Sequence, residues 1–362
     1  MRLSEIVYRN NELTEKNRAR AQLGLRSPHF SNDLSRLART FTKRGSGWNQ
    51  NSKRVFLSKS RFMSGRQCSK KLWQTVYDPE PAEEPLPGTV KGMGIEVGVK
   101  ARQLWPGGVL IDSPYDDYAE ALRRTEALIA DPAIRVIFEA ALVHDGLLIR
   151  VDALERLPDH RWRLNEVKSS TPIKNEHLEE LALQTYVIAG NGLELADAYL
   201  VYINAKYTRN EEIDWDQLFH REDLTEDVMP LLAGVSGRIA EMHAVRSLRE
   251  APEIRPDRHC FRPYDCPFWH RCTEDKPKDW VFYIPRLSST SFDTLENGGI
   301  VSMKDVPNDF PLKPKQQRVV DAAKSGKVCR SPKLVKFLPP LAPPASYLDF
   351  ETFSPAGDPF SS

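Results

Sequence analysis

The sequence has little that would carry the chain into or across a membrane. No apolar run among its 362 residues approaches the roughly 20 that a membrane span needs. The first thirty residues lack the apolar stretch of a secretory signal. Glu5, Glu12 and Glu15 stand where a transit peptide would be poor in acids. Net charge is only +1, so global charge does not declare a nucleic-acid binder. No internal repeat is visible. Cysteine is scarce, with five residues, and in a cytosolic chain of this length such a set points to metal or catalysis before disulfides. These absences lead us to expect a cytoplasmic protein of about two domains.

What is present starts late. Residues 1–54 are polar and rich in Arg and Lys, with few large apolar side chains to bury, and read as a disordered basic tail. Compact sequence opens at Val55–Phe62, where Ser58 is placed to cap a helix running through Phe62 toward Cys68 and Leu72-Trp73. A second helical pattern covers Lys91–Trp105 and includes Glu96; a third covers Asp116–Ala130. Arg135–Val143 and Leu147–Leu154 read as strands joined at His144-Asp145-Gly146. Asn175–Ala189 reads as a helix stopped by Gly190-Asn191-Gly192, and Ala198–Ile203 as a strand. Asp223-Leu224-Thr225-Glu226 has the form of a capping box for one long helix over about 226–249. This order predicts an α/β fold around a mixed sheet flanked by helices. Beyond 275 the pattern loosens into a helical segment and a Pro-rich linker over 276–345, with helices at Ser291–Leu295 and Pro314–Lys324.

The densest chemistry lies in a second hairpin, Arg150–Leu154 and Leu164–Lys168, joined through Pro158-Asp159-His160. Side chains alternate along a strand, so Glu166 and Lys168 share one face. On the first strand, Leu147, Ile149, Val151 and Ala153 line one face, with Arg150 and Asp152 on the other. Two acids and a lysine at the end of a half-buried hairpin suggest a divalent-metal site. Paired carboxylates repel unless a cation lies between them, and Mg²⁺ takes one or two carboxylates plus water and phosphate oxygens. Taken singly, each motif also suits a cross-strand ion pair. Gln184 interrupts the apolar stripe of the following helix, and a buried glutamine needs partners; facing this site or a phosphate would supply them.

Cys260, Cys266 and Cys272 fall within thirteen residues, in a loop rich in Pro, His and aromatics. A fourth ligand is needed to close the set, and Cys68 is the candidate. Four such thiolates can hold a [4Fe–4S] cluster or a structural zinc, and in a zinc version His270 can replace one of them. Cys329 has no cysteine near it and reads as a free thiol.

Asp152, Glu166-Val167-Lys168, Gln184-Thr185-Tyr186 and one early plus three late cysteines together resemble the RecB-like PD-(D/E)xK nucleases. The resemblance covers about residues 55–275 and is strongest to the iron–sulfur branch that includes the CRISPR-associated nucleases and the AddB nuclease domain. It implies a restriction-endonuclease-like mixed sheet, with a [4Fe–4S] cluster on Cys68, Cys260, Cys266 and Cys272 joining the domain's start to its end. It further implies Mg²⁺ or Mn²⁺ on Asp152 and Glu166, Lys168 orienting or activating water, and Gln184 and Tyr186 near substrate. Glu96 stands where the family often offers a histidine to the metal. The implied activity is that of a deoxyribonuclease, of exonuclease type, acting on single-stranded DNA or duplex ends in repair, recombination or defence. Lys59, Arg61 and Lys174 are candidates for backbone phosphates. Over 346–362, Tyr347-Leu348-Asp349-Phe350-Glu351 resembles the first motif of DnaQ-like DEDD exonucleases, so Asp349 and Glu351 would open a second, truncated domain. The alternatives are a catalytically inactive, metal-stapled nucleic-acid-binding module and a zinc-bound structural fragment.

Overall fold

Alternation and turn chemistry build the central hairpins. A computed structural model describes residues 56–81, 89–170, 172–209, 212–328 and 348. The basic tail, Cys329, Asp349 and Glu351 lie outside the described residues. Strands β1 (Leu57–Ser58), β2 (Val109–Leu110), β3 (Val136–His144), β4 (Leu147–Arg156), β5 (Trp162–Lys168), β6 (Leu195–Ile203) and β7 (Phe219–Asp223) form one mixed sheet. Its order is β2-β3-β4-β5-β6-β7, with β1 added on β4. β3 and β4 pair antiparallel from His144↔Leu147 to Val136↔Glu155. Asp145 and Gly146 between them both have positive φ, 48° and 73°, as a two-residue type I′ turn requires. β4 and β5 pair antiparallel from Arg156↔Trp162 to Ala153↔Asn165, and β5 runs parallel to β6.

The hairpin of β4 and β5 is not half-buried as its alternation suggested. Leu147–Val151 are all buried, Arg150 included, as are Leu164, Asn165 and Glu166. Helix Asn175–Gly190 lies across β3, β4, β5 and β6, and His177 and Glu180–Ala189 on it are buried. It stops where expected: Asn191 N–H donates to Val187 O and Ile188 O, and Gly192, at φ 77°, donates to Ala189 O.

Ser58 ends β1 and directly precedes helix Lys59–Gln67, in the position a cap takes. Other expectations are corrected. Cys68 adopts extended backbone (φ −163°, ψ 127°) and starts a separate helix, Ser69–Tyr77, so the early helix is two. The long helix after Asp223 is also two, Thr225–Leu232 and Val235–Arg246. Pro230 lies inside the first and removes a backbone donor. Gly234 lies at the break, donating to Leu231 O at 3.3 Å. The Asp223 cap closes on Thr225, whose N–H and hydroxyl both donate to Asp223 Oδ1.

The described residues divide into two compact units. One comprises those up to Lys59 and Val90–Ala240, and contains the sheet. The other comprises those in Ser60–Thr89 and from Glu241 on. Within the second unit, the loose-looking stretch past 275 has a core of its own. Trp280, Val281, Ile284, Phe292, Leu295 and Val320 are buried together with neighbours from helices Ser289–Asn297 and Pro314–Ser325. Among the described residues no helix is long and apolar enough to cross a membrane.

Candidate functional site

The edge of β4 changes partner along its length. β1 pairs with it at Leu147 and Leu148; β5 pairs with it from Ala153 onward. Ile149–Asp152 lie between these two ladders. Where the β5 ladder ends, Asp152 substitutes a side-chain bond for a backbone one: its Oδ2 accepts from Val167 N–H at 2.7 Å. The site therefore lies at the open end of the hairpin, away from the turn at 157–161. It is there because two short ladders diverge.

Five residues singled out in the sequence meet here. Glu166, 1 % exposed, accepts from Lys168 Nζ at 2.8 Å on Oε1 and from Gln184 Nε2 at 2.7 Å on Oε2. Glu166 is close enough for its charge to act on Asp152. Lys59, expected at a phosphate, instead lies against Glu166, 2.8 Å from Oε1 and 3.0 Å from Oε2. Glu180 joins them unforeseen, accepting from Lys168 Nζ at 2.6 Å. His177 is a second addition, buried and within reach of the charges of Lys168 and Glu166. His177, Glu180 and Gln184 fall at i, i+3 and i+7 of one helix, and so on one face. That spacing was the signal available in the sequence.

Three expected residues lie elsewhere. Glu96 is partly exposed and pairs with Lys100 one helical turn on, at 2.6 Å. Tyr186 donates to Asp145 Oδ2 at the turn between β3 and β4 and packs on His144. Lys174 is the N-cap residue of the Asn175–Gly190 helix, where its backbone N–H donates to His177 Nδ1 at 3.3 Å.

Electrostatics separates the two carboxyls. Burial and the neighbouring Glu166 push Asp152 up to about 7, against Lys59, Lys168 and the Val167 N–H. Burial would also raise Glu166, but Lys168 and Lys59 outweigh it and hold Glu166 well below the usual carboxylate range. Burial would lower both lysines. Glu166 with Glu180 raises Lys168 above its ordinary value, and Glu166 with Asp152 does the same for Lys59. Lys168 is thus an ammonium, a donor and a positive charge, and not a base at neutral pH. Burial and the charge of Glu166 raise Glu180. Burial, Lys168 and Lys174 bring His177 down to about 4, so its ring is neutral.

Two of these groups, Asp152 and Glu166, are donors that a hard cation could use. Asp152 is raised by burial first and by the charge of Glu166 second, and the second effect is of the kind an intervening cation relieves. Gln184 Oε1 is fully buried and has no hydrogen-bond partner among the described residues. Among the described residues no group of three or more His, Cys, Asp or Glu is placed to hold a metal ion. A cation here would therefore rest on two carboxylates and water, the usual arrangement for Mg²⁺.

The cysteines belong to the second unit. Cys260 lies in a short 3₁₀ turn, Arg258–Phe261, and its carbonyl accepts from Cys266 N–H at 2.7 Å. Cys272 ends helix Trp269–Cys272. Gln67, next to Cys68, donates to His259 O and Tyr264 O at 2.8 and 2.7 Å, tying the early helix to this loop. The thiols act on one another's charge: burial first, then Cys266, Cys68 and Cys272, push Cys260 up to about 11 against the backbone of Asp257. Burial raises Cys266 and Cys272 as well. His270 is mostly exposed and lies 3.6 Å from Glu80; His259 Nε2 lies 3.6 Å from Cys260 Sγ.

No family model matches the chain, and no curated protein does. Among solved structures, the crystal structure of SSO0001 aligns with 61 % of this chain and 87 % of its own, at 14 % identity and a TM-score of 0.24. A score that low carries no argument about fold.

Proposed function

We propose that the chain is a Mg²⁺- or Mn²⁺-dependent deoxyribonuclease of the RecB-like PD-(D/E)xK type, with a restriction-endonuclease-like sheet and a [4Fe–4S] cluster on Cys68, Cys260, Cys266 and Cys272. One observation carries the reading. Asp152, Glu166, Lys168 and Gln184, chosen from the sequence, gather where β4 and β5 diverge, with Lys168 and Gln184 both bonded to Glu166. In that reading Asp152 and Glu166 hold the divalent ion, which when bound lowers the pKa of its water and offsets charge on the phosphoryl group.

The chain's own residues do the rest. Lys168, fixed between Glu166 and Glu180, supplies a positive charge and donors beside a phosphate oxygen or the attacking water. Gln184 orients Glu166 through Oε2 and leaves its own Oε1 for a further donor. The high pKa of Asp152 makes a neutral carboxyl available to lose its proton when a cation arrives. The thiols of Cys260, Cys266 and Cys272, which burial holds protonated, would be ionised by a cationic centre.

The test is degradation of end-labelled single-stranded DNA in Mg²⁺ or Mn²⁺. Asp152→Asn and Lys168→Ala should each lower the rate at least a hundredfold, with circular dichroism unchanged. Undiminished degradation by both variants would refute the assignment.

A second reading has one observation in its favour. Glu166 is almost fully buried and carries two lysines and an amide, as a purely structural ion-pair hub would. The chain would then be an inactive nucleic-acid-binding module. It would bind single-stranded DNA and leave it intact in either metal.

A further inference from the structure

A carboxylate has about four lone-pair positions, and all four of Glu166 are engaged. Lys59 takes two, one on each oxygen, at 2.8 and 3.0 Å. Lys168 takes the third at 2.8 Å and Gln184 the fourth at 2.7 Å. A metal ion can reach Glu166 only if one donor leaves.

The three donors are not equally held. Lys168 has a second acid, Glu180, at 2.6 Å. Gln184 is fully buried in the helix that crosses the sheet. Lys59 lies 3.9 Å from Glu180, so its only close bonds among the described residues are those to Glu166. Its side chain retains 23 % exposure and that of Lys168 20 %, so the missing second close acid, not exposure, sets Lys59 apart. It straddles the carboxylate, the place a chelated cation would take.

We propose that Lys59 is an exchangeable internal counter-ion, occupying Glu166 until a divalent cation displaces it, so that metal affinity is set by this lysine. The proposal rests on the reading that Asp152 and Glu166 hold a divalent ion. It assigns Lys59 a role in metal exchange rather than in phosphate binding. The lysine offsets the charge of Glu166 in the metal-free protein and must give way for the ion to bind, since two cations on one carboxylate repel.

The experiment is Mn²⁺ titration of the full chain without DNA, with free Mn²⁺ read by electron paramagnetic resonance. Lys59→Met should bind Mn²⁺ about tenfold more tightly than the unsubstituted chain, because a competing charge is gone. Lys59→Arg, which keeps the charge, should not. Asp152→Asn should lose the site. Should Lys59→Met fail to fold, the unsubstituted protein still decides. Saturating Mn²⁺ should raise the rate of Lys59 acylation several-fold by mass spectrometry, while Lys168 stays protected beside Glu180. If Asp152→Asn loses Mn²⁺ but Lys59→Met binds no more tightly, or Lys59 labelling does not change, lysine exchange is overturned alone. If Asp152→Asn binds Mn²⁺ like the unsubstituted chain, the metal reading itself falls and takes this proposal with it.

Discussion

At the scale of single residues, the site is a contest between burial and charge. Asp152 is raised to about 7 by burial and by Glu166, from a value near 3.9 in an unfolded chain. The folded state therefore binds this proton more tightly than the unfolded state does. The resulting stability is fully present below the unfolded value and is lost as pH rises through about 7. Asparagine cannot ionise and can still accept from Val167 N–H. In chelator, Asp152→Asn should melt higher than the unsubstituted chain at pH 8, by roughly the 2–4 °C that 1 kcal/mol brings in a domain of this size. The difference should shrink toward pH 4. Thermal scans across that range check it, and a variant that melts lower at pH 8 would contradict the sign. Activity and stability would then oppose each other at one position.

At the scale of elements, helix Asn175–Gly190 organises the site. It brings Glu180 to Lys168 and Gln184 to Glu166, and its end is seated by close contact. A Cβ on Gly190 would fall 2.3 Å from the His144 ring, which is packed against Tyr186 of the same helix. Tyr186 bounds the ring on one side, so yielding means displacing the imidazole toward its exposed edge. Gly190→Ala should cost about 1–3 kcal/mol, the range for overpacking, measured by urea unfolding. A neutral result would mean that the ring and helix end are looser than their packing indicates. The element-level reading from sequence succeeded where a pattern was long. The β3–β4 hairpin, this helix with its Gly-Asn-Gly stop, and the two late helices were all legible in periodicity and punctuation. It failed where elements were short or interrupted. β1 and β2 have two residues each, too few to show any period. The break at Cys68 leaves no mark in composition. Pro230 and Gly234 did signal the second break, but the apolar spacing across 226–249 masked them.

At the scale of the whole molecule, the two units carry different chemistry. The carboxylate–lysine group is in the unit containing the sheet, and the four cysteines are in the other, with an aromatic core beside them in sequence. Purified without oxygen, the proposed cluster predicts a brown protein absorbing near roughly 400 nm, with about four irons per chain. Cys68→Ser and Cys266→Ser should each bleach it. A colourless protein with one zinc would replace the cluster by a structural zinc and leave the reading of Asp152 and Glu166 standing.

By itself the sequence determined which residues could act. Asp152, Glu166 and Lys168 follow from strand alternation, which local sterics impose on any strand, and Gln184 from its misfit in an apolar stripe. It also led to the expectation that Cys68, Cys260, Cys266 and Cys272 form a set, with Cys329 apart. Only the tertiary structure decided what those residues do to one another. Lys59 is 107 residues from Glu166, and its contact depends on a two-residue ladder between β1 and β4 that no local pattern encodes. Glu180 stands on the helix beside Glu176 and Glu179, and burial brings it to Lys168. A charge reads the same in a sequence whether it faces water or a buried partner, and only packing sets the dielectric and the distance that give it meaning.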